Sequence, residues 1–210
     1  MSRSVTRQPQ RRVRKPVQAR ARERREALLD ATARLLDEGG YDAVTTNAVA
    51  REAATGIGTV YEYFPSREAL LVGLLERHRV RLEAVFDDVL EGASGDWRQT
   101  VESVVDAFAR FWLHEPGYRS VWAAVAVSPL LAETGRQWAD SFTRRFAALD
   151  IATTRRLSPA RRRLIASVAV HLVSGLLQVA VQAPTATRRA LVQETKHALV
   201  AYLASLRHEP

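Results

Sequence analysis

The chain has 210 residues, no cysteine, a hydrophobic share of 47% and a formal net charge of +8. Without a thiol, disulfide frameworks, thiolate metal sites and cysteine nucleophiles are excluded, while the apolar share is enough for a real core. Residues 1–25 hold ten Lys or Arg against one acid, Glu23, which leaves 21 bases and 22 acids for the other 185 residues, so the whole positive charge sits in the first 25.

Residues 1–19 are rich in arginine, carry Pro9 and Pro16 and have few apolar side chains, a composition that predicts a disordered basic arm. A basic arm on a near-neutral body suits a polyanionic partner, and equally a solubilising tail. From Arg20 the spacing of Leu28, Ala31 and Leu35 predicts a helix that Gly39-Gly40 ends. Thr45 then precedes a short apolar-periodic run, Val49, Ala50 and Ala53, where its oxygen can cap the first turn. Gly56 breaks that run, and a second short helix over Gly58–Phe64 closes at Pro65. Neither helix buries enough surface alone, so each must lie against a longer one. A first helix, a sharp turn and a second helix with small residues at its exposed start suit a DNA major groove.

Ser66 caps a long helix to about Glu91, with Leu70, Leu71, Leu74, Leu75, Leu82, Val85, Phe86 and Val89 at helical spacing. Residues 92–96 break it. Helical segments follow over Trp97–His114, Tyr118–Ser128 and Leu130 to about Thr154, punctuated by Pro116-Gly117 and Ser128-Pro129. Ser158-Pro159 opens another through Leu164, Val168, His171, Leu172, Gly175, Leu176 and Val179, and after Pro184 a last helix runs from about Thr187 to Leu206. No stretch after residue 40 alternates at period two, so the fold class is all-α. Around residues 164–181 small and apolar side chains spread more widely than a monomer's surface helix needs. That pattern fits either a four-helix bundle between two copies or a buried central helix in a monomer. No apolar run approaches the roughly 20 residues that span a bilayer. The charged start has no apolar stretch behind it, and the expectation is a cytoplasmic protein without a membrane partner.

The five histidines are scattered without metal-ligand spacing, Gly56-x-Gly58 follows no strand, and no nucleophile elbow or phosphate loop is present. No catalytic residue, metal or cofactor is therefore expected.

The run TTNAVAREAATGIGTVYEYFPSREALL, residues 45–71, resembles the helix-turn-helix of tetracycline-repressor-like (TetR family) transcriptional regulators. Thr45, Val49, Ala50, Ala53, Gly58, Thr59, Val60, Tyr61, Tyr63, Phe64, Ser66, Arg67 and Leu70 fall on that pattern in register. Ala54, Thr55 and Gly56 stand where Gly, Val and Ser are usual. The resemblance covers about the first third of the chain after the arm. Beyond the compositional arm at 1–19, it implies a helix-turn-helix domain at 20–66 and an effector-binding and dimerisation domain at 67–210. It assigns phosphate contact to Tyr61, Arg67 and the helix start at Thr45 and Thr46, and groove contact to Ile57, Gly58 and Thr59. The residue chemistry agrees: Gly58 permits close backbone approach, Thr59 offers a hydroxyl and a methyl to base edges, and the Tyr61 hydroxyl can reach a flanking phosphate. Tyr63 and Phe64 are expected as core. The resemblance further implies dimerisation through the last two helices, and a small apolar or amphipathic effector among the central aromatics. Phe108, Trp112, Trp122, Trp138 and His171 are the candidate ligand residues, and ordinary core packing is the other reading of the same aromatics.

The function expected is a sequence-specific DNA-binding regulator, a repressor released from a palindromic operator on double-stranded DNA by its ligand. An architectural DNA-binding protein without an effector is the alternative, and an all-α enzyme without a recognisable motif is a third.

Overall fold

The computed structural model of the chain describes residues 14–93, 95–125, 128–149, 151 and 154–206. Residues 1–13 of the expected arm lie outside them, while residues 14–19, expected to be disordered, already belong to the first helix, which starts six residues before the expected Arg20. The described residues form α1 (Arg14–Ala43), α2 (Thr46–Glu52), α3 (Ile57–Tyr63), α4 (Arg67–Glu91), α5 (Trp97–His114), α6 (Tyr118–Val125), α7 (Pro129–Ala147), α8 (Pro159–Gln182) and α9 (Thr185–Ser205), with no strand among them. The all-α expectation holds.

Several helix starts are set by a single side-chain oxygen that accepts an otherwise unpaired backbone amide. Thr45 accepts from Ala48 N at 3.1 Å, Ser66 from Ala69 N at 3.2 Å, and Ser158 from Arg161 N at 3.2 Å with Pro159 at the first helical position. Asp96 does the same for α5, accepting from Arg98 N at 2.9 Å. α1 kinks at Gly40, whose φ of 71° lies in the left-handed region, so the expected break at Gly39-Gly40 is a bend before a short last turn. α7 ends at Ala147, earlier than the expected Thr154. No glycine or proline stops it: the chain turns so that Ile151 is buried, and Thr154 N and Arg155 N both donate to the Ile151 carbonyl.

Two cores result. One joins α1–α4, α6 and the start of α7 around Leu28, Leu29, Val49, Val60, Phe64, Leu70, Leu74 and Val121. The other joins α4, α5 and α7–α9 around Phe86, Val105, Trp112, Trp138, Phe142, Ile165 and Leu199. α4 belongs to both, giving Leu70–Leu75 to the first and Leu82 and Phe86 to the second. Its 25 residues span about 37 Å at 1.5 Å each, one stiff rod between the two. Salt bridges fix the rod's flanks. Arg77, itself buried, holds Asp30 of α1 at 2.6 Å, and Arg145 of α7 pairs with Asp87.

α8 corrects one expectation. Its 24 residues are long and apolar enough, by length and composition, to cross a membrane, although the sequence was expected to hold no such run. It packs on α7 and α9, yet only 39% of its apolar window is buried within the chain. Leu164, Val168 and Val179 are exposed on it, at 54%, 40% and 57%, on a stripe that includes the exposed His171 and Gly175.

Candidate nucleic-acid interface

α2 and α3 are seven residues each, α2 packed on α1 and α3 on α2, and Val49, Ala50 and Val60 are buried in the core they share with α1 and α4. Burying Val60 sets the phase of α3 and turns its other face outward. Ile57 is 38% and Tyr61 52% exposed, and Gly58 is exposed between them. A Cβ added at Gly58 would meet nothing within 4 Å. The fold therefore does not require glycine there, and whatever favours its absent side chain lies outside the chain. Thr59 is half-buried, so its hydroxyl and methyl lie at the edge of the exposed face.

The phosphate candidates divide. The Tyr61 hydroxyl lies 3.3 Å from Thr46 Oγ1, which ties α3 to the start of α2 while leaving both residues at the surface. The Thr45 oxygen is engaged as the α2 cap. Arg67 is half-buried, its guanidinium 3.7 Å from the Tyr41 ring centroid, a cation–π contact that fixes the charge beside α1. Next to it Glu68 is held below the usual carboxylate range, first by a backbone amide and then by the Ser66 hydroxyl. Phe64 is buried beneath the recognition helix as expected, and Tyr63 is half-buried.

The turn between α2 and α3 carries a strain at Ala54, which stands where glycine is usual in the family pattern. Ala54 N donates to Arg51 O at 3.1 Å and Thr55 N to Ala50 O at 2.9 Å, the paired bonds of a Schellman cap. That cap needs a left-handed residue, and Ala54 adopts φ 48° although it is not glycine. A left-handed alanine costs on the order of 1–2 kcal/mol, against roughly 0.4–1 kcal/mol of extra unfolded-chain entropy for glycine. Ala54→Gly should therefore raise stability by up to about 1 kcal/mol, read as a higher urea midpoint with an unchanged slope.

In the other core the central aromatics separate into two groups. Phe108 and Trp138 line a cavity with Phe86, Phe142, Phe146 and Val173, between α4, α5, α7 and α8. This chamber is narrow, about 30 Å³, and it adjoins a wider one of about 200 Å³ that shares Val104, Phe146 and Leu199 with it and reaches Leu90, Trp97 and Ile151. Trp112 and Trp122 do not line either chamber. They pack around the fully buried Tyr118, with ring centroids 4.8 and 6.3 Å from it, and Trp122 meets Trp138 at 5.1 Å. His171 lies on the exposed stripe of α8, its Nδ1 2.7 Å from Ser167 O. Phe86, Val104, Val173 and Leu199 were not among the sequence candidates, while Phe142 and Phe146 belong to the central aromatic stretch expected to supply some of the lining. The i, i+4 pair Phe142 and Phe146 is the one local signal that points to a shared face.

Residues 28–74 match the family described as bacterial regulatory proteins, tetR family, and residues 96–203 match the tetracyclin repressor-like C-terminal domain. The HTH-type transcriptional repressor KstR of Mycolicibacterium smegmatis is 48% identical over 66 residues, 31% of this chain and 32% of that protein. The chain thus aligns with about a third of that relative's length. The HTH-type transcriptional regulator BetI of Burkholderia thailandensis is 33% identical over 156 residues, 73% of this chain and 79% of that one. Among solved structures, a TetR-family transcriptional regulator from Streptomyces coelicolor superposes with a TM-score of 0.63 at 27% identity, covering 88% of this chain and 98% of the other. Matched across both halves, the chain belongs to the tetR family of bacterial regulatory proteins.

Proposed function

We propose that this chain is a cytoplasmic, homodimeric repressor that leaves a palindromic operator when a small apolar or amphipathic molecule enters the cavity between α4, α5, α7 and α8. The observation that carries the reading is the outward face of α3, where Ile57, Gly58 and Tyr61 are exposed over the buried Val60. Thr59 and Ile57 read base edges, and the hydroxyls of Tyr61 and Thr46 take phosphate. Basic side chains before residue 26 supply the sequence-independent, salt-sensitive part of binding.

The test uses duplexes from the DNA upstream of the gene and an unrelated duplex, with anisotropy as the readout. Tyr61→Phe should weaken binding to every duplex by a similar factor, about three- to tenfold, because the lost hydrogen bond carries no base identity. Thr59→Ala should instead narrow the gap between the two duplexes. Unchanged affinity of Tyr61→Phe on all of them would remove α3 from the interface.

The dimer rests on the exposed stripe of α8. Leu164, Val168, His171, Gly175 and Val179 recur at one-face spacing and include both apolar and small residues. A second copy of α8 and α9 laid on it would complete a four-helix bundle. Val168→Arg should give a folded monomer by light scattering that has lost most of its operator affinity, since one recognition helix cannot hold a two-fold site. A dimer that survives the charge places the interface elsewhere.

The rod α4 supplies the coupling. A ligand that prefers one tilt of α4 shifts DNA affinity by its differential affinity for the two arrangements, typically about 1–3 kcal/mol. By linkage, operator DNA weakens the ligand by the same factor.

A further inference from the structure

Trp138 is 5% exposed and forms part of the wall of the narrow chamber of about 30 Å³. Its indole N–H, a donor with no acceptor capacity, is buried and has no partner among the described residues. Trp138 also borders a groove with Glu76 and Ser141, yet it takes none of their oxygens. Glu76 spends both on Arg79, at 2.8 and 2.5 Å, and Ser141 turns its hydroxyl to Glu83 at 2.7 Å. Buried N–H groups nearly always find a partner, so this one calls for an explanation. In the wall of the wider chamber the Trp97 N–H is a second buried donor without a partner. The Trp122 N–H and the Tyr118 hydroxyl share that condition but line neither chamber.

The rest of the lining decides what kind of acceptor suits these donors. Among the described residues no Asp, Glu, Lys, Arg or His lines either chamber, and the polar side chains besides the two indoles are Ser174 and Thr100. An anionic head would be buried there without a counter-charge. A neutral carbonyl loses far less on leaving water and accepts from such donors. Volume sets the orientation. The narrow chamber, about 30 Å³, has room for an oxygen atom rather than a ring. The wider one, about 200 Å³, exceeds an engineered cavity of about 150 Å³ that takes benzene.

From this we infer that the effector is a neutral molecule with an apolar, ring-sized body and a carbonyl oxygen, as in a ketone, ester or lactone. The body fills the wider chamber, and the oxygen enters the narrow one and accepts the Trp138 N–H. The inference rests on the reading of the cavity as the effector site.

The probes are cyclohexanone, methylenecyclohexane, which has the same ring with CH₂ in place of the oxygen, and cyclohexanecarboxylate. Each is titrated into the full-length protein, and the indole N–H proton resonances of its four tryptophans are followed, assigned with single Trp→Phe variants. Cyclohexanone should move the Trp138 proton downfield, methylenecyclohexane should bind without that shift, and cyclohexanecarboxylate should bind at least about tenfold more weakly than the ketone. Trp138→Phe keeps an aromatic wall and removes the donor, so the ratio of ketone to alkene affinity should fall about fivefold or more. Taking the ratio cancels any change in chamber shape, and if the variant does not fold the wild-type shift decides alone. A ketone that binds without moving the Trp138 proton, or that moves Trp97 instead, overturns the assignment and leaves the cavity reading standing. So does an unchanged ratio in Trp138→Phe, or a carboxylate that binds as tightly as the ketone. If neither the ketone nor the alkene binds, the cavity reading fails and the inference falls with it.

Discussion

Gly117→Ala should lower the thermal midpoint by roughly 10 °C. Gly117 opens the turn into α6 at φ 73°, a left-handed conformation that costs an alanine about 1–2 kcal/mol. The turn also presses on α1. A Cβ at residue 117 would lie 2.8 Å from Ala33 Cβ and 2.9 Å from Ala33 Cα. The second of these is backbone and cannot swing aside, so overpacking adds roughly 1–3 kcal/mol. Relief by lifting α6 is opposed by Asp37, whose carboxylate accepts from Gly117 N at 2.7 Å and from Ser120 Oγ at 2.6 Å. The sum, on the order of 2–5 kcal/mol, corresponds to roughly 2–4 °C per kcal/mol for a chain of this size. Gly95→Ala separates the two causes, because Gly95 has φ 90° but open space around it. It should show the conformational cost alone. Equal midpoints for the two variants would mean that α6 is not seated on α1 by this contact.

The parts of the fold that were legible before the structure are those governed by neighbours in sequence. Thr45, Ser66 and Ser158 announced their helices because a cap acts within three residues of itself. The recognition helix was legible for the same reason, with a buried Val60 setting the phase that exposes Ile57 and Tyr61. The end of α7 was not, because a tertiary contact, the burial of Ile151, stops it where no breaker residue stands. The cavity was legible only as a region. Helical phase says that Phe142 and Phe146 share a face, but not that Phe86 of α4 and Leu199 of α9 come to meet them. Nor does it say which face of α8 turns inward, and His171 and Val173, two residues apart, lie on opposite sides of that question. The strain at Ala54 was half legible: the departure from glycine was plain in the run, and its cost needed the φ angle.

His78 stands between Arg77 and Arg79 in a charged stretch that reads as surface, yet it is fully buried. Its Nε2 donates to the Pro116 carbonyl at 3.1 Å, its ring meets Tyr118 and Phe111 edge-on at 5.2 and 6.4 Å, and its Nδ1 has no partner among the described residues. Burial is the main reason that its pKa is pushed down to about 3, and the positive charge of Arg77, with a smaller part from Arg81, works in the same direction. Glu115, 3.7 Å away, is the one carboxylate facing it among the described residues and is already engaged by Arg81 at 2.6 Å. The sign of the linkage follows. Above the unfolded value of about 6.5 the ring is neutral in both states and its titration contributes nothing. Below it the unfolded chain takes up a proton that the folded chain refuses, so stability falls as pH falls, by about 1.4 kcal/mol per unit, until the folded value is reached. Between neutral pH and pH 5 the wild type should therefore lose about 2 kcal/mol through this residue alone. His78→Gln keeps an N–H donor for Pro116 and cannot titrate. Its urea midpoint, at fixed protein concentration so that assembly does not enter, should be lower than wild type at pH 7.5 and should change less between pH 7.5 and pH 5. Parallel midpoint curves for the two proteins over that range would mean that His78 takes up its proton in the folded state, and the seam between α4 and the Pro116 turn would then have to open to water on acidification.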